Sequence, residues 1–226
     1  MTNASTPTSK LFRSFRLISA TGHRSVIRFV EDHLADIHEL PVREYFELRY
    51  WHLAALYEVG DYQAVLDVST ELLELSILED IRTVEDEDAY RTVLFRRASA
   101  LYKSAQYAAA AQLCEQIVRL YPQFRAAALL YERALYQQPN PRVRMGRAAC
   151  IVLFLSAAAL TALELLVVDY FFEQHLSFVV LLRNVVFALG WLLMLVGDVG
   201  YRAYAWLRVR TTVMAATRRR AARSDG

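Results

Sequence analysis

The sequence predicts an all-α protein in which a soluble array of helical hairpins is followed by a two-helix transmembrane hairpin. Three observations support this fold class. Apolar residues recur at helical spacing through the first 140 residues, prolines and glycines fall between the periodic segments, and two long apolar runs lie near the C-terminus. The predicted parts are a disordered or weakly structured tail over 1–20, a soluble helical domain over 21–140, a transmembrane hairpin over 146–207 and a basic tail over 208–226.

The net charge of +2 is distributed unevenly between the two halves of this arrangement. Residues 1–145 carry 17 Lys and Arg against 19 Asp and Glu, whereas residues 146–226 carry 9 against 5. The soluble part is therefore not a general polyanion binder. Without a basic stripe interleaved with aromatic residues, no nucleic-acid partner is predicted. Arginine outnumbers lysine by 24 to 2, a ratio typical of a GC-rich bacterial genome.

The soluble part contains six periodic segments. They predict helices over 23–40, 42–58, 62–75, 87–103, 107–120 and 122–138. Pro41 ends the first helix, because proline disfavours a helical conformation of the residue before it. Gly60 supplies the turn after the second helix, and Pro122 suits the first turn of the last. The acidic connector over 77–88 favours a helix N-terminus over a calcium loop, because the spaced oxygen ligands and glycine of such a loop are missing.

Two segments of the soluble part are similar to each other. Residues 56–62 (LYEVGDY) align with residues 101–107 (LYKSAQY), and the alignment continues without a gap to 72–75 against 117–120. The pattern resembles the tetratricopeptide repeat, in which paired antiparallel helices carry a small residue and then an aromatic residue at the turn. The second copy matches the family pattern at five positions. Tyr107 is at the aromatic position, Ala110 at the alanine position and Cys114 at the mid-size position. Ile117 is at the small apolar position and Pro122 at the proline position.

The first copy and the spacing depart from the family pattern. The copies are offset by 45 residues instead of the family's 34, so about eleven extra residues must loop out, most simply over 77–87. Val65 and Leu72 are bulkier than the alanines usual in the family. The resemblance covers about 42–138, and an unrelated bundle of helical hairpins is the alternative interpretation. Since such repeats need neighbours to bury their faces, helices 23–40 and 122–138 are expected to cap the array.

The family resemblance implies a concave groove lined by the first helix of each pair, which would bind a protein or peptide. Carried over residue by residue, the groove candidates are Glu47, Tyr50, Trp51, Tyr57, Arg96, Tyr102, Lys103, Arg133 and Tyr136. Aromatic and arginine side chains are frequent hot spots of binding. Arg96, Lys103 and Arg133 are suited to a peptide carboxylate. The alternative interpretation of each residue is an ordinary solvated helix face.

No enzyme, cofactor or metal site is predicted. The five histidines form no His-Glu-x-x-His motif or Cys/His cluster. No Gly-rich phosphate loop, Gly-x-Ser-x-Gly elbow or kinase motif occurs. Cys114 and Cys150 fall in a soluble helix and at the start of a membrane helix, so neither a disulfide nor a reactive thiol is expected.

The predicted membrane spans cover about 148–168 and 178–198. Each has roughly the 20 residues needed to cross a hydrocarbon core of ~30 Å. Arginines flank both outer ends, namely Arg142, Arg144 and Arg147 before the first span and Arg202, Arg208 and Arg210 after the second. The connecting loop carries none, so both termini are predicted to be cytoplasmic, and a bacterial inner membrane is the expected location.

Two ionisable residues fall inside the predicted spans. If the hairpin turns near Gln174, Glu164 and Arg183 lie at almost the same level and are predicted to form an ion pair, because an isolated charge at that depth costs several kcal/mol. The alternative role for this pair is a proton or ion path. Small residues such as Gly190 and Gly197 permit close helix packing, including homo-oligomerisation.

The favoured function is that of a membrane-anchored scaffold or adaptor with a cytoplasmic groove for a protein or peptide. This layout is loosely similar to that of the mitochondrial fission adaptor, which has N-terminal repeats and a single C-terminal span instead of two. The alternative function is a small channel or transporter subunit in which the membrane hairpin carries the activity.

Overall fold

The computed structural model describes residues 9–20, 22–138, 141–163 and 176–224. The all-α prediction is confirmed: helices stack in antiparallel pairs, and the chain ends in one long apolar helix. The helices are α1 (Lys10–Ser19), α2 (His23–Asp32), α3 (Leu34–Ile37), α4 (Val42–Val59), α5 (Tyr62–Leu78), α6 (Ala89–Lys103), α7 (Tyr107–Leu120), α8 (Arg125–Gln137), α9 (Pro141–Leu163) and α10 (Leu176–Ser224). The strands β1 (Thr83–Val84) and β2 (Glu87–Asp88) form one short antiparallel hairpin.

Helix α1 lies in the stretch for which the sequence predicts a weakly structured tail. Its first turn is capped by Ser9, whose hydroxyl oxygen accepts a hydrogen bond from the Phe12 N–H at 3.2 Å. Phe12 and Phe15 are buried in one cluster with Phe29 of α2 and Leu48 of α4. Two phenylalanines three residues apart thus give α1 an apolar face that anchors it to the helices behind it.

Helix α4 is buried on two sides. Phe46 and Leu53 join the cluster that α4 forms with α5 and α6. Leu48 and Ala55 instead join the cluster formed with α1 and α2. A helix packed on two sides needs apolar residues around most of its circumference, which explains why the α4 sequence lacks one clear polar face.

The same turn closes both helical pairs. Gly60 follows α4 with a φ of 91°, and Ala105, at the equivalent place after α6, has a φ of 59°. The next residue in each copy donates its N–H back across the turn: Asp61 to the Leu56 carbonyl at 3.0 Å, and Gln106 to the Leu101 carbonyl at 2.9 Å. A hydrogen bond from an N–H to the carbonyl five residues earlier is typical of the Schellman motif at a helix C-terminus. The two aligned segments therefore have the same backbone geometry.

The extra residues between the two copies lie in a longer α5 and in the β-hairpin. Helix α5 continues to Leu78, and the hairpin pairs Thr83 with Asp88 and Val84 with Glu87. Its turn residues Glu85 and Asp86 have positive φ, as a two-residue hairpin turn of the favoured twist requires. Val84 is buried in the cluster that contains Tyr50, so the insertion is packed onto α4 and α6.

The prediction of a two-helix transmembrane hairpin is wrong. Among the described residues, only α10 contains a stretch long and apolar enough to cross a membrane, within Leu181–Arg218. The apolar part of α9 is Ala148–Ala162, which at 1.5 Å per residue spans about 22 Å and falls short of a ~30 Å hydrocarbon core. The rest of the first predicted span, from 164 to 168, lies outside the described residues.

Helix α10 is continuous over 49 residues, a length of about 74 Å. The stretch predicted as a basic tail is therefore helical as far as Ser224. Alongside α10 lies α9, whose Phe154 ring contacts Phe187 at 5.6 Å and Trp191 at 6.3 Å between centroids. Gly190 faces the same Phe154 ring, so a predicted small residue does allow close packing of two helices.

The chain divides into two compact units. One comprises Met1–Ala134 together with Thr212–Gly226, and the other comprises Leu135–Thr211. The first contains α1 to α7 and most of α8, whereas the second contains α9 and most of α10.

Candidate functional site

All nine groove candidates lie on three helices. Helix α4 carries Glu47, Tyr50, Trp51 and Tyr57, helix α6 carries Arg96, Tyr102 and Lys103, and helix α8 carries Arg133 and Tyr136. Each of α4 and α6 is the first helix of an antiparallel pair. Their surroundings differ, however, and divide the candidates into three groups.

The first group joins α4 to α6. The guanidinium carbon of Arg96 lies 5.0 Å from the centre of the Tyr50 ring, a cation–π distance. Burial raises the pKa of Tyr50, so its hydroxyl stays protonated and donates a hydrogen bond to Glu87 at 3.2 Å. Among the described residues, the buried Nη1 of Arg96 has no hydrogen-bond partner. A buried guanidinium N–H without an acceptor is costly, and this distinguishes Arg96 from the other groove candidates.

The second group supports the helices from within. Glu47 accepts a hydrogen bond from Arg16 of α1 at 2.7 Å, so its carboxylate already has a cationic partner inside the chain. Trp51 packs against the cluster of α1 and α2. Tyr57 and Tyr102 occupy equivalent places in the two copies and contact Tyr62 and Tyr107 edge to face, at 6.0 and 5.5 Å. These side chains contact other parts of the chain and are half-buried, and their role in binding a partner stays a prediction.

The third group lies farther along α6 and α8. Lys103 and Arg133 are exposed, and Lys103 is about 10 Å from Arg96 along the α6 axis, seven residues at 1.5 Å each. The Cα atoms of Arg96 and Lys103 are therefore about two helical turns apart, so one carboxylate group does not bridge adjacent backbone positions here. Tyr136 is partly covered, because the Arg202 guanidinium lies 5.2 Å from the centre of its ring and Tyr201 lies beside it.

Sequence reasoning missed a polar network between α4 and α5. Tyr45 donates a hydrogen bond to Glu71, and Arg49 donates to the same carboxylate. Burial opposes ionisation of Glu71, but the hydrogen bonds from Arg49 and Tyr45 outweigh it and hold the Glu71 pKa below its usual range. Arg49 also approaches His52 Nδ1 at 3.2 Å. The available signal was the i, i+4, i+7 spacing of Tyr45, Arg49 and His52, which places all three on one side of α4.

Burial determines the protonation of two members of this region. It lowers the pKa of His52 to about 4, with the neighbouring Arg49 charge acting in the same direction. His52 is therefore neutral at physiological pH and accepts from the arginine. Burial also raises the pKa of Tyr45 to about 12. The network consequently contains one carboxylate and one guanidinium as its charged groups, and their hydrogen bond links α4 to α5.

Three further predictions concern the Glu164–Arg183 ion pair, the two cysteines and metal binding. Glu164 lies outside the described residues, and Arg183 contacts the Asn184 side-chain oxygen at 3.4 Å, so their ion pair stays a prediction. Cys114 and Cys150 are free and buried. Burial raises the pKa of Cys114 to about 12, which keeps it as a thiol. In the described part of the chain, no group of three or more His, Cys, Asp or Glu residues could hold a metal ion.

The fold and this surface define a class of protein: an all-helical chain of stacked antiparallel helices that ends in one long apolar helix. Comparisons with protein-family models, with curated proteins and with solved structures found no match, and no family is identified.

Proposed function

We propose that this protein is a membrane-anchored scaffold of the tetratricopeptide type, whose first helices present a cytoplasmic groove to a protein or peptide. The observation that carries the proposal is the Tyr50–Arg96 contact between successive first helices, with a buried arginine N–H that lacks an acceptor among the described residues. The repeat interpretation has separate support in the equivalent turns after α4 and α6 and in the equivalent tyrosine pairs beside them.

Membrane anchorage belongs to the same proposal. Helix α10 supplies a single anchor, since its apolar stretch has the length and composition of a span. Arg202, Arg208 and Arg210 lie in the C-terminal half of the segment Leu181–Arg218 that contains this stretch, which by the positive-inside rule favours a cytoplasmic C-terminus. With the Arg-rich composition, a bacterial inner membrane is the proposed location.

The proposed ligand is an acidic segment of a partner protein. Helices α6 and α8 carry the three basic groove candidates, Arg96, Lys103 and Arg133, and a single acidic residue, Glu132. Complementary charge increases the association rate and selects the partner. Arg96 would bind one carboxylate of the segment, and the exposed Lys103 and Arg133 would interact with others more weakly, because exposed ion pairs contribute little.

Binding of labelled peptides to the full-length protein in neutral detergent tests this proposal. A fluorescent peptide rich in Asp and Glu should bind, whereas its Asn and Gln counterpart should not. Arg96→Gln should weaken binding about tenfold or more, the effect of losing a hydrogen bond to a charged group. Arg97→Gln is the matched control, because Arg97 donates to Thr70 of α5 at 2.5 Å. Equal losses in the two variants, or no preference for the acidic peptide, would contradict the proposal.

A further inference from the structure

Helix α10 changes character within a few residues at the end of its apolar stretch. Up to Val199, large apolar side chains are exposed on several sides of the helix. The next eleven residues contain three aromatic residues, Tyr201, Tyr204 and Trp206, and three arginines, Arg202, Arg208 and Arg210. Aromatic and arginine side chains concentrate where a membrane helix passes from the hydrocarbon into the headgroup region.

Specific contacts order these side chains into a layer. The Tyr201 hydroxyl donates a hydrogen bond to the Leu135 carbonyl at 2.7 Å, which fixes α10 to the end of α8. The Arg202 guanidinium lies over the Tyr136 ring, and the Arg210 guanidinium lies 4.9 Å from the centre of the Trp206 ring.

Two aromatic rings of the layer remain open to the surroundings. Tyr204 is 53% exposed and Trp206 is 47% exposed. Amphipathic rings of this kind are more stable at a headgroup boundary than in water, because the boundary accommodates both the ring and its polar group. Their exposure beside arginines therefore indicates a surface that is completed by lipid.

The segment of α10 that carries this layer is basic. Between Val199 and Arg210 the sequence has three arginines and no acidic residue, and Asp198 is the acidic residue nearest to it in sequence. The layer therefore has a positive excess.

We propose that this layer binds the headgroups of anionic phospholipids in the membrane leaflet at the level of Tyr201. The proposal rests on the membrane anchorage proposed above and is independent of the groove. Arg202 and Arg210 lie about 12 Å apart along the helix, and each holds the phosphate of a separate lipid through its planar N–H fork. The open Tyr204 and Trp206 rings between them contact the glycerol and upper acyl region. Basic residues between helix ends on the cytoplasmic side are suited to such headgroups.

Lipid retention by the full-length protein tests the site. The protein is purified in neutral detergent with equal phosphatidylglycerol and phosphatidylcholine, and the retained lipids are counted by native mass spectrometry. The wild type should retain mainly phosphatidylglycerol. Arg202→Gln/Arg210→Gln should reduce this preference about tenfold, because each arginine near a membrane surface contributes to the attraction. Arg210→Gln alone should show part of the loss while the Arg202–Tyr136 contact stays intact.

Arg218→Gln is the matched control, since Arg218 lies about 24 Å from Arg202 along the helix and twelve residues after Trp206, the last aromatic residue of the layer. It should keep the wild-type preference. Equal retention of the two lipids, or equal loss in the double variant and in Arg218→Gln, would overturn the proposal. Displacement of the lipid by millimolar inorganic phosphate would also overturn it, by assigning the layer to a soluble anion. A chain that stays soluble without detergent would refute the anchor itself, whereas a detergent-requiring chain without lipid preference refutes only this site.

Discussion

His52 and Arg49 show how one buried contact can control the charge of a side chain. His52 is buried on α4, and its ring nitrogen faces a permanently charged guanidinium. Protonation would bring two positive charges together in a site shielded from water, so the folded protein strongly favours the neutral ring. Arg49 in turn needs Glu71 as its counter-ion. The two residues therefore depend on a carboxylate from another helix.

This arrangement predicts a loss of stability in mild acid. The unfolded chain binds a proton at His52 near its ordinary pKa of 6.5, but the folded chain does so only near 4. The stabilisation is complete above the unfolded pKa and is lost as the pH falls between these values, by about 2 kcal/mol from about pH 7.5 to about pH 5. Denaturant unfolding of the full-length protein at both pH values measures the effect.

His52→Gln should remove most of this pH dependence, because the amide does not titrate. Arg24→Gln is the control, since Arg24 is exposed on α2 and does not titrate in this pH range, and it should unfold with the wild-type pH profile. Glu71 contributes a further loss in the same direction only as the pH falls below its ordinary value of 4.5. A wild-type protein equally stable at the two pH values would show that His52 is not held neutral by the fold.

At the scale of single elements, α1 depends on two aromatic side chains for its place in the fold. Phe15 is 1% exposed, whereas Leu17, two residues later on the same helix, is 77% exposed. Phe15→Ala should destabilise the protein by about 3 to 5 kcal/mol, because a large cavity forms between α1, α2 and α4. Leu17→Ala should change stability by less than about 0.5 kcal/mol.

The shift in denaturant midpoint of the two variants measures this difference. Trypsin cleavage at Arg13 and Arg16 supplies a local readout, since a detached α1 exposes its backbone to the protease. Faster cleavage is expected in Phe15→Ala only. If the two variants unfold and are cleaved alike, α1 contributes no packing.

The turns after α4 and α6 predict opposite effects for two small substitutions. Ala105 has the positive φ that Gly60 has in the first copy, and a left-handed alanine costs about 1 kcal/mol more than glycine. Ala105→Gly should therefore stabilise the protein by about 0.5 to 1 kcal/mol, and Gly60→Ala should destabilise it by about 1 kcal/mol. Thermal unfolding of both variants tests the signs. Two shifts in the same direction would contradict the equivalence of the turns.

At the scale of the whole molecule, the β-hairpin explains how two similar pairs tolerate an offset of 45 residues. The hairpin is inserted between α5 and α6, and Val84 is buried against residues of α4 and α6. Helix α5 still packs directly on α6. The insertion therefore adds apolar contacts without separating neighbouring pairs, as an array stabilised by nearest-neighbour packing requires.

The structure has one long apolar helix where the sequence predicts a two-helix membrane hairpin. This difference bears on the choice between the scaffold and channel hypotheses. Among the described residues, only α10 is long and apolar enough to cross a membrane, so the channel hypothesis has no second span there. The continuous α10 carries its arginines beyond the apolar stretch on a helix, so their positions are ordered relative to Tyr201 and Trp206. This order is what allows a lipid site to be assigned to named residues.

The sequence by itself determined where α4, α6 and α7 begin and end. In contrast, the helix predicted over 23–40 is divided into α2 and α3, and the one predicted over 122–138 begins at Arg125. Helix α7 has the predicted bounds of 107–120, and α4 and α6 agree with prediction to within two residues. This agreement has a local cause, because apolar spacing and the Pro41 and Gly60 stops act over a few neighbouring residues. The nine groove candidates could accordingly be assigned to their helices in advance.

Only the tertiary structure decided what those candidates contact. Glu47 is paired with Arg16, 31 residues away, and Tyr50 lies under Arg96 from another helical pair. The helical state of α1 likewise depends on Phe29 and Leu48, which lie far from it in sequence. Helical periodicity says which side of a helix is apolar but not which neighbour covers it, because that neighbour is selected by packing between segments distant along the chain.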